Sequence, residues 1–342
     1  MARYLFFVSQ SYAFAILRPL QAAIRARGHE AAWFFENERD ARYLRTDERR
    51  LIKARDAVQW NANAVFVPGN WVPDFFPGLK VEVFHGFSVG KRSESKGHFR
   101  IRGSFDLYCT HGPDTTEPFQ KLAKEHGYFR VRETGWPKLD PLFSGALDVP
   151  GERRPTVLYA STFTEAISSA RTLCSTIAQL STTGRWRWLV TLHPKMALDV
   201  VASYKAIQNP HLEFVETDDI LSLYVQADVM LSDTSSVVPE FLTQHKPVVT
   251  FRNRKPGPHL INIENVSDVL PALERAFAPS DELQAAIVRY ANHIHPYRDG
   301  RSSERVLAAT DEAIEQGGAG LRRKPLNLWR RLQARKRLGY WN

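Results

Sequence analysis

The sequence predicts an α/β protein of two domains, each built on an open parallel sheet. Short apolar, β-branched-rich runs alternate with segments of helical spacing in both halves of the chain. In Ala227–Arg252 two such runs, Asp228–Leu231 and Pro247–Phe251, bracket a polar turn and a helical segment, the pattern of a strand–turn–helix–strand unit. Finally, Ser144–Arg154 is rich in Gly, Pro and charge and divides the 342 residues into parts of ordinary domain size.

In the first part, Tyr4–Val8 is expected as a buried strand. The segment Ala13–Arg27 sets Phe14, Leu17, Leu20 and Ile24 on one helical face, and Gly28 ends it. Ala31–Phe35, Ala64–Pro68, Val81–Phe84 and Phe105–Thr110 are further strands. The mixed charges of Glu36–Arg55 suggest an exposed helix. In the second part, Thr156–Ala160, Trp188–Leu192 and Leu212–Val215 are strands, with helical spacing over Ala166–Leu180 and Asp281–His293. The boundaries expected are 1–145, 146–315 and a tail, 316–342, that is disordered or lies on a membrane.

A hydrophobic fraction of 43% with 24% charged residues is that of a globular protein. The net charge of +9 asks for an anionic partner. Nucleic acid is the weakest candidate, because no DNA or RNA module accompanies the charge. Two cysteines, Cys109 and Cys174, lack ligand spacing, so neither a metal nor a disulfide framework is expected. The apolar start is followed too soon by Arg18 and Arg25 for a secretory signal, and no run is long enough to span a bilayer. The expected location is therefore cytoplasmic. The tail Leu321–Asn342 carries eight Lys or Arg and no acid, interleaved with Leu and Trp, which suits an anionic membrane face and would make the protein peripheral there.

In open parallel sheets ligands sit beyond the carboxyl ends of the strands. His85-Gly86 follows a strand directly, and Gly86 would let a backbone come close. The basic loop behind it, with Lys91 and Arg92, could hold an anionic acceptor. Thr134–Asp140 is a rigid turn carrying Lys138 and Asp140. Ser161-Thr162 closes one strand of the second part, and His193-Pro194-Lys195 closes another. Asp233-Thr234-Ser235-Ser236 precedes a helix, where unpaired N–H groups and small hydroxyls can hold phosphate. A plain N-cap is the competing reading of that turn. Arg301-Ser302-Ser303 opens a later helix in the same manner.

In chain order, then, the sequence carries HG (His85-Gly86), TGWPKLD (Thr134–Asp140), LYAST (Leu158–Thr162), LHP (Leu192–Pro194), DTSSVVPEFL with KPVV (Asp233–Val249) and DGRSSERV (Asp299–Val306). From about residue 80 to 310 this resembles the CDP-glycerol glycerophosphotransferases that build teichoic acids and capsules. Phe84 stands where that family has tryptophan, Thr234 where it has tyrosine, and Pro239-Glu240 where it has Phe-Asp. The resemblance implies two Rossmann-like domains of the GT-B type with the reaction in the cleft between them. It further implies CDP-glycerol or a similar nucleotide as donor, a glycan or lipid-linked acceptor, release of CMP, and no cofactor. The family's catalytic histidines fall on His85 and His193. The family's donor-phosphate serines fall on Ser235 and Ser236, and its late basic-and-serine motif on Arg301, Ser302 and Ser303. Further donor contacts are expected at Ser161, Thr162, Lys195, Asp233, Thr234 and Glu240, and acceptor contacts at Gly86, Lys91, Arg92, Lys138 and Asp140. A glycosyltransferase using a nucleotide-activated sugar is the alternative on the same scaffold.

Overall fold

A computed structural model describes residues 1–87, 98–147, 154–217 and 219–341. Lys91, Arg92 and most of the expected linker lie outside the described residues. The chain forms two compact units: Met1–Gly86 with Arg92–Ser144 and His295–Asn342, and Phe87–Lys91 with Gly145–Ile294.

The first unit carries seven parallel strands, β1 (Arg3–Val8), β2 (Glu30–Phe35), β3 (Arg49–Leu51), β4 (Ala64–Val67), β5 (Leu79–Glu82), β6 (Leu107–Thr110) and β7 (Arg130–Glu133), in the order β3-β2-β1-β4-β5-β6-β7. Central strands are covered on both faces, so they read as unbroken apolar runs; of RYLFFV in β1 only Arg3 is exposed. Helix α1 (Ala13–Ala26) follows β1 and buries Phe14, Ile16, Leu17, Leu20 and Ile24. The exposed helix expected over Glu36–Arg55 is replaced by a 3-10 turn (Glu38–Tyr43), the edge strand β3 and helix α2 (Ala54–Trp60). Pairing Phe34 with Leu51 buries the one apolar residue of β3, and Arg18 grips Glu48 at 3.0 Å, so the charges satisfy each other along an edge. Helix α3 (Pro113–His126) and β7 then complete this side of the sheet. With only Val131 buried, β7 is a polar edge strand without the apolar run that would announce it.

The second unit is a six-stranded parallel sheet, β8 (Thr156–Ser161), β9 (Arg187–Leu192), β10 (Leu212–Phe214), β11 (Val229–Ser232), β12 (Val248–Phe251) and β13 (Ile261–Ile263), in the order β10-β9-β8-β11-β12-β13. Its helices are α5 (Ala170–Thr182), α6 (Leu198–Ala206), α7 (Leu221–Gln226), α8 (Val237–Leu242), α9 (Val269–Phe277) and α10 (Asp281–Ile294), the short α4 (Asp140–Phe143) belonging to the first unit. Trp188, Tyr204, Val190 and Leu231 share its core with Leu173 and Leu273.

Two expectations are corrected. Helix α11 (Ser302–Gln316) belongs to the first unit, packed on α1, β5 and β6, whereas the sequence placed it with the second domain. The tail is not disordered. Its helix α12 (Leu328–Leu338) docks on the first unit, with Tyr340 stacked on Phe75 at 4.5 Å and Arg331 and Arg335 facing Asp74 at 3.7 and 3.6 Å.

Candidate active site

In the first unit the chain leaves β5 through Val83 and Phe84, and Phe84 has φ of +56°, a left-handed conformation costly for a bulky residue. Its ring stays in the core, stacked on His98 at 4.8 Å, while the twist brings the next residue, His85, to the surface at the carboxyl edge of the sheet. The imidazole lies on the Tyr12 ring, 5.3 Å between centroids at 27°. His85 Nδ1 is 3.1 Å from the Pro68 carbonyl oxygen at the end of neighbouring β4. A carbonyl oxygen only accepts, so Nδ1 carries the proton and Nε2 is the basic nitrogen of the neutral ring. A Cβ at Gly86 would meet no atom of the described residues within 4 Å.

The second unit gathers its candidates at the carboxyl ends of three adjacent strands, β9, β8 and β11. His193 leaves β9 exposed, with its ring 4.4 Å from that of Phe163, and its Nδ1 accepts the Lys195 backbone N–H at 3.0 Å. A backbone N–H only donates, so in the neutral ring the proton sits on Nε2, opposite to the state of His85. The Lys195 ammonium lies 5.8 Å from the Phe163 ring centre. Ser235 is buried and Ser236 exposed at the mouth of α8.

Several residues expected to contact a ligand tie the chain to itself. The buried Asp233 carboxylate accepts from Ser161 Oγ (2.6 Å), the Thr162 N–H (3.0 Å), the Ser169 N–H (2.9 Å) and Ser169 Oγ (3.0 Å), lashing β11 to β8 and to the start of α5. Burial raises its pKa while those hydrogen bonds pull it down. Thr234 Oγ1 accepts the Arg254 N–H at 3.1 Å, and the buried Glu240 accepts the Tyr224 hydroxyl at 3.1 Å. In the first unit Asp140 accepts the N–H groups of Ser302 and Ser303, both at 2.7 Å. Its carboxylate fills the N-terminus of α11, the place expected to hold phosphate, and both serines are buried. The Arg301 guanidinium pairs with Glu304 at 2.7 Å on its own helix. The carboxylates of Asp140, Asp233 and Glu240, the Arg301 guanidinium and the backbone N–H groups of Ser302 and Ser303 thus all have partners within the chain. Half-buried Lys138 lies over Trp136 at 5.1 Å.

Nothing local announces the Asp140–α11 tie, whose partners are separated by 162 and 163 residues. Tyr12, to which the sequence attaches no expectation, follows β1 and touches His85 because β1, β4 and β5 are neighbours in the sheet. The signal for it was present: an aromatic in the turn after a strand, at the sheet edge where ligands bind.

Residues 91–310, more than half of the chain, match the family model described as CDP-glycerol:poly(glycerophosphate) glycerophosphotransferase. No curated protein matches the sequence. Among solved structures the wall teichoic acid polymerase TagF is similar at 13% identity over 92% of this chain and 89% of that one, with a TM-score of 0.65. MnaA from S. aureus with UDP is similar at 14% identity over 95% and 99%, with a TM-score of 0.64. A putative UDP-N-acetylglucosamine 2-epimerase from Listeria monocytogenes is similar at 13% over 92% and 97%, with a TM-score of 0.65. At such identities these likenesses speak for the GT-B type of fold. The motifs of the sequence, their places on the two parallel sheets and the family match agree: the chain belongs to the CDP-glycerol:poly(glycerophosphate) glycerophosphotransferase family.

Proposed function

We propose that the protein transfers glycerol phosphate from CDP-glycerol to a hydroxyl of a surface glycan or lipid-linked acceptor and releases CMP. The observation that carries the residue roles is the pair of histidines with opposite tautomers. The acceptor oxygen forms a bond to the β-phosphorus, the bond from that phosphorus to the bridging oxygen breaks, and CMP leaves with that oxygen. His85 Nε2 takes the acceptor's proton, because a hydroxyl is a poor nucleophile at neutral pH. His193 Nε2–H, Lys195 and the hydroxyls and amides of Ser235 and Ser236 counter the charge that grows on the phosphates. Tyr12 and the Pro68 carbonyl hold the His85 ring in its basic tautomer.

His85→Ala is expected to slow CMP release by about 10²–10⁴-fold, while calorimetry still reports donor binding. His193→Ala is expected to weaken both. Near-parental turnover of His85→Ala with an authentic acceptor would remove the base from this scheme. A donor screen by thermal shift tests the chemistry itself, and a response to UDP-sugars without one to CDP-glycerol or CDP-ribitol would favour a glycosyltransferase.

The reading also includes a membrane face. Leu326, Leu328, Trp329, Leu332 and Trp341 are exposed on or beside α12, Trp329 to 72%, and basic side chains surround them. Such a mixture suits an anionic lipid surface, where a lipid-linked acceptor would be met.

A further inference from the structure

Beneath α12, within the first unit, lies a cavity of about 390 Å³, a size typical of ligand sites, for which the transfer reaction has no use. Seven of its lining side chains are Lys or Arg and one, Asp74, is acidic. Asp74 already faces Arg331, Lys324 pairs with Asp106 at 2.6 Å, and Arg337 pairs with Glu36. The other four, Lys80, Arg100, Arg102 and Arg330, have no carboxylate at ion-pair distance among the described residues. Lys80 is buried with its ammonium donating to the Gly78 carbonyl at 2.6 Å, and Arg330 donates to the Arg102 carbonyl at 2.7 Å, so these two cations are held by the backbone around the hollow. Burial, with Arg100 and Arg330 beside it, lowers the pKa of Arg102 against the pull of Glu82. Burial likewise brings Lys80 down to about 8, with Lys324 adding to the effect and Asp106 and Asp74 opposing it. Like charges held together in a partly dry space repel one another, and an anion placed among them relieves the repulsion.

We propose that this cavity binds a phosphodiester group, at a site separate from the nucleotide donor's. Planar guanidinium forks match the two non-bridging oxygens of a phosphodiester, and several cations suit a group that bears charge without a large apolar body. Such a group reaches the protein as a soluble glycerophosphate chain or as the headgroup of a phospholipid. The inference does not rest on the transfer reaction.

The test uses the full chain in two arms. In one, glycerophosphoglycerol is titrated by calorimetry; in the other, sedimentation is measured with phosphatidylcholine vesicles with and without phosphatidylglycerol. Arg100→Ala/Arg102→Ala removes two cavity cations and keeps the Arg102 carbonyl to which Asn327 and Arg330 donate, and Arg39→Ala/Lys124→Ala removes the same charge from exposed positions of the same unit. Binding in at least one arm is expected, weakened about tenfold or more by the cavity pair and by less than about twofold by the control pair. Binding in the soluble arm identifies the polymer as a source, and binding in the vesicle arm alone identifies the headgroup. No binding in either arm, or an equal loss from both pairs, overturns the proposal. If the double variant misfolds, Arg100→Gln, at an exposed position, is expected to weaken binding about threefold, and an unchanged affinity overturns the proposal as well. CMP release is followed in parallel, and its absence from every variant and the parent would count against the transfer reading while leaving the phosphodiester result standing.

Discussion

Glu82, three residues before His85, is buried at the end of β5, and burial holds its pKa well above the ordinary 4.5, with Arg102 pulling the other way. The folded protein therefore binds more protons than the unfolded chain from pH 4.5 up to the raised value, and stability falls as pH rises through that window. Glu82→Gln removes the dependence. Its melting temperature is expected to match the parent's below pH 4.5 and to exceed it increasingly above, as read by calorimetry across pH; parallel curves would show that Glu82 is not held in this way. His295 has the opposite sign. Burial lowers it from 6.5 to about 4, so the unfolded chain binds more protons in that interval and stability is lost as pH falls through it. At this scale the sequence shows which side chains lie near the carboxyl ends of strands, and only part of what they touch. His193 follows β9 directly, as expected, whereas His85 stands three residues beyond the end of β5. Asp140 and Asp233 have the chemistry of ligand contacts, but their partners lie on distant segments, and the spacing along the chain carries no trace of them.

Helix α12 is the element that the sequence described least well. Its Arg-, Leu- and Trp-rich composition fits a membrane segment, and its docking depends on contacts remote in the chain: Asn327 donates to the Arg102 carbonyl at 3.1 Å, and Lys324 to that of Ser104 at 3.1 Å. Gly103 lies in the middle of that seam with φ of +71°, and a Cβ there would stand 2.6 Å from Asn327 Nδ2 and 2.7 Å from Pro325 Cγ. Gly103→Ala combines a strained backbone with a collision. A local cost of about 1–2 kcal/mol makes the undocked tail about 5–30 times more populated. Trypsin is expected to cut after Arg322 and Arg323 faster by that factor, and an unchanged rate would mean that the seam does not depend on Gly103. The central strands, by contrast, were readable to within two residues, because burial on both faces forces apolar runs. Edge strands β3, β7 and β13 were not, since an edge needs little apolar surface and their pairing is set by neighbours.

At the scale of the molecule the sequence revealed two parallel sheets and the break between them. It misplaced the final stretch, because apolar spacing shows that α11 has a face to bury but not which core receives it. What decides the matter is Asp140 seated at its N-terminus, with Gly135, whose α-carbon would have no room for a Cβ within 2.5 Å of Ser302 Oγ. The first unit is therefore discontinuous: its sheet is made before the second unit and two of its covering helices after it.

That arrangement sets an order of assembly during synthesis. When residues up to Ile294 have left the ribosome, everything the second unit needs is outside, whereas the opening sheet still lacks α11, which covers α1, β5 and β6, and the docked α12. Nascent chains stalled some 40 codons past that point are expected to yield a protease-resistant fragment from the later-made half alone. Resistance of the earlier half in the same chains would show that it stands without its closing helices.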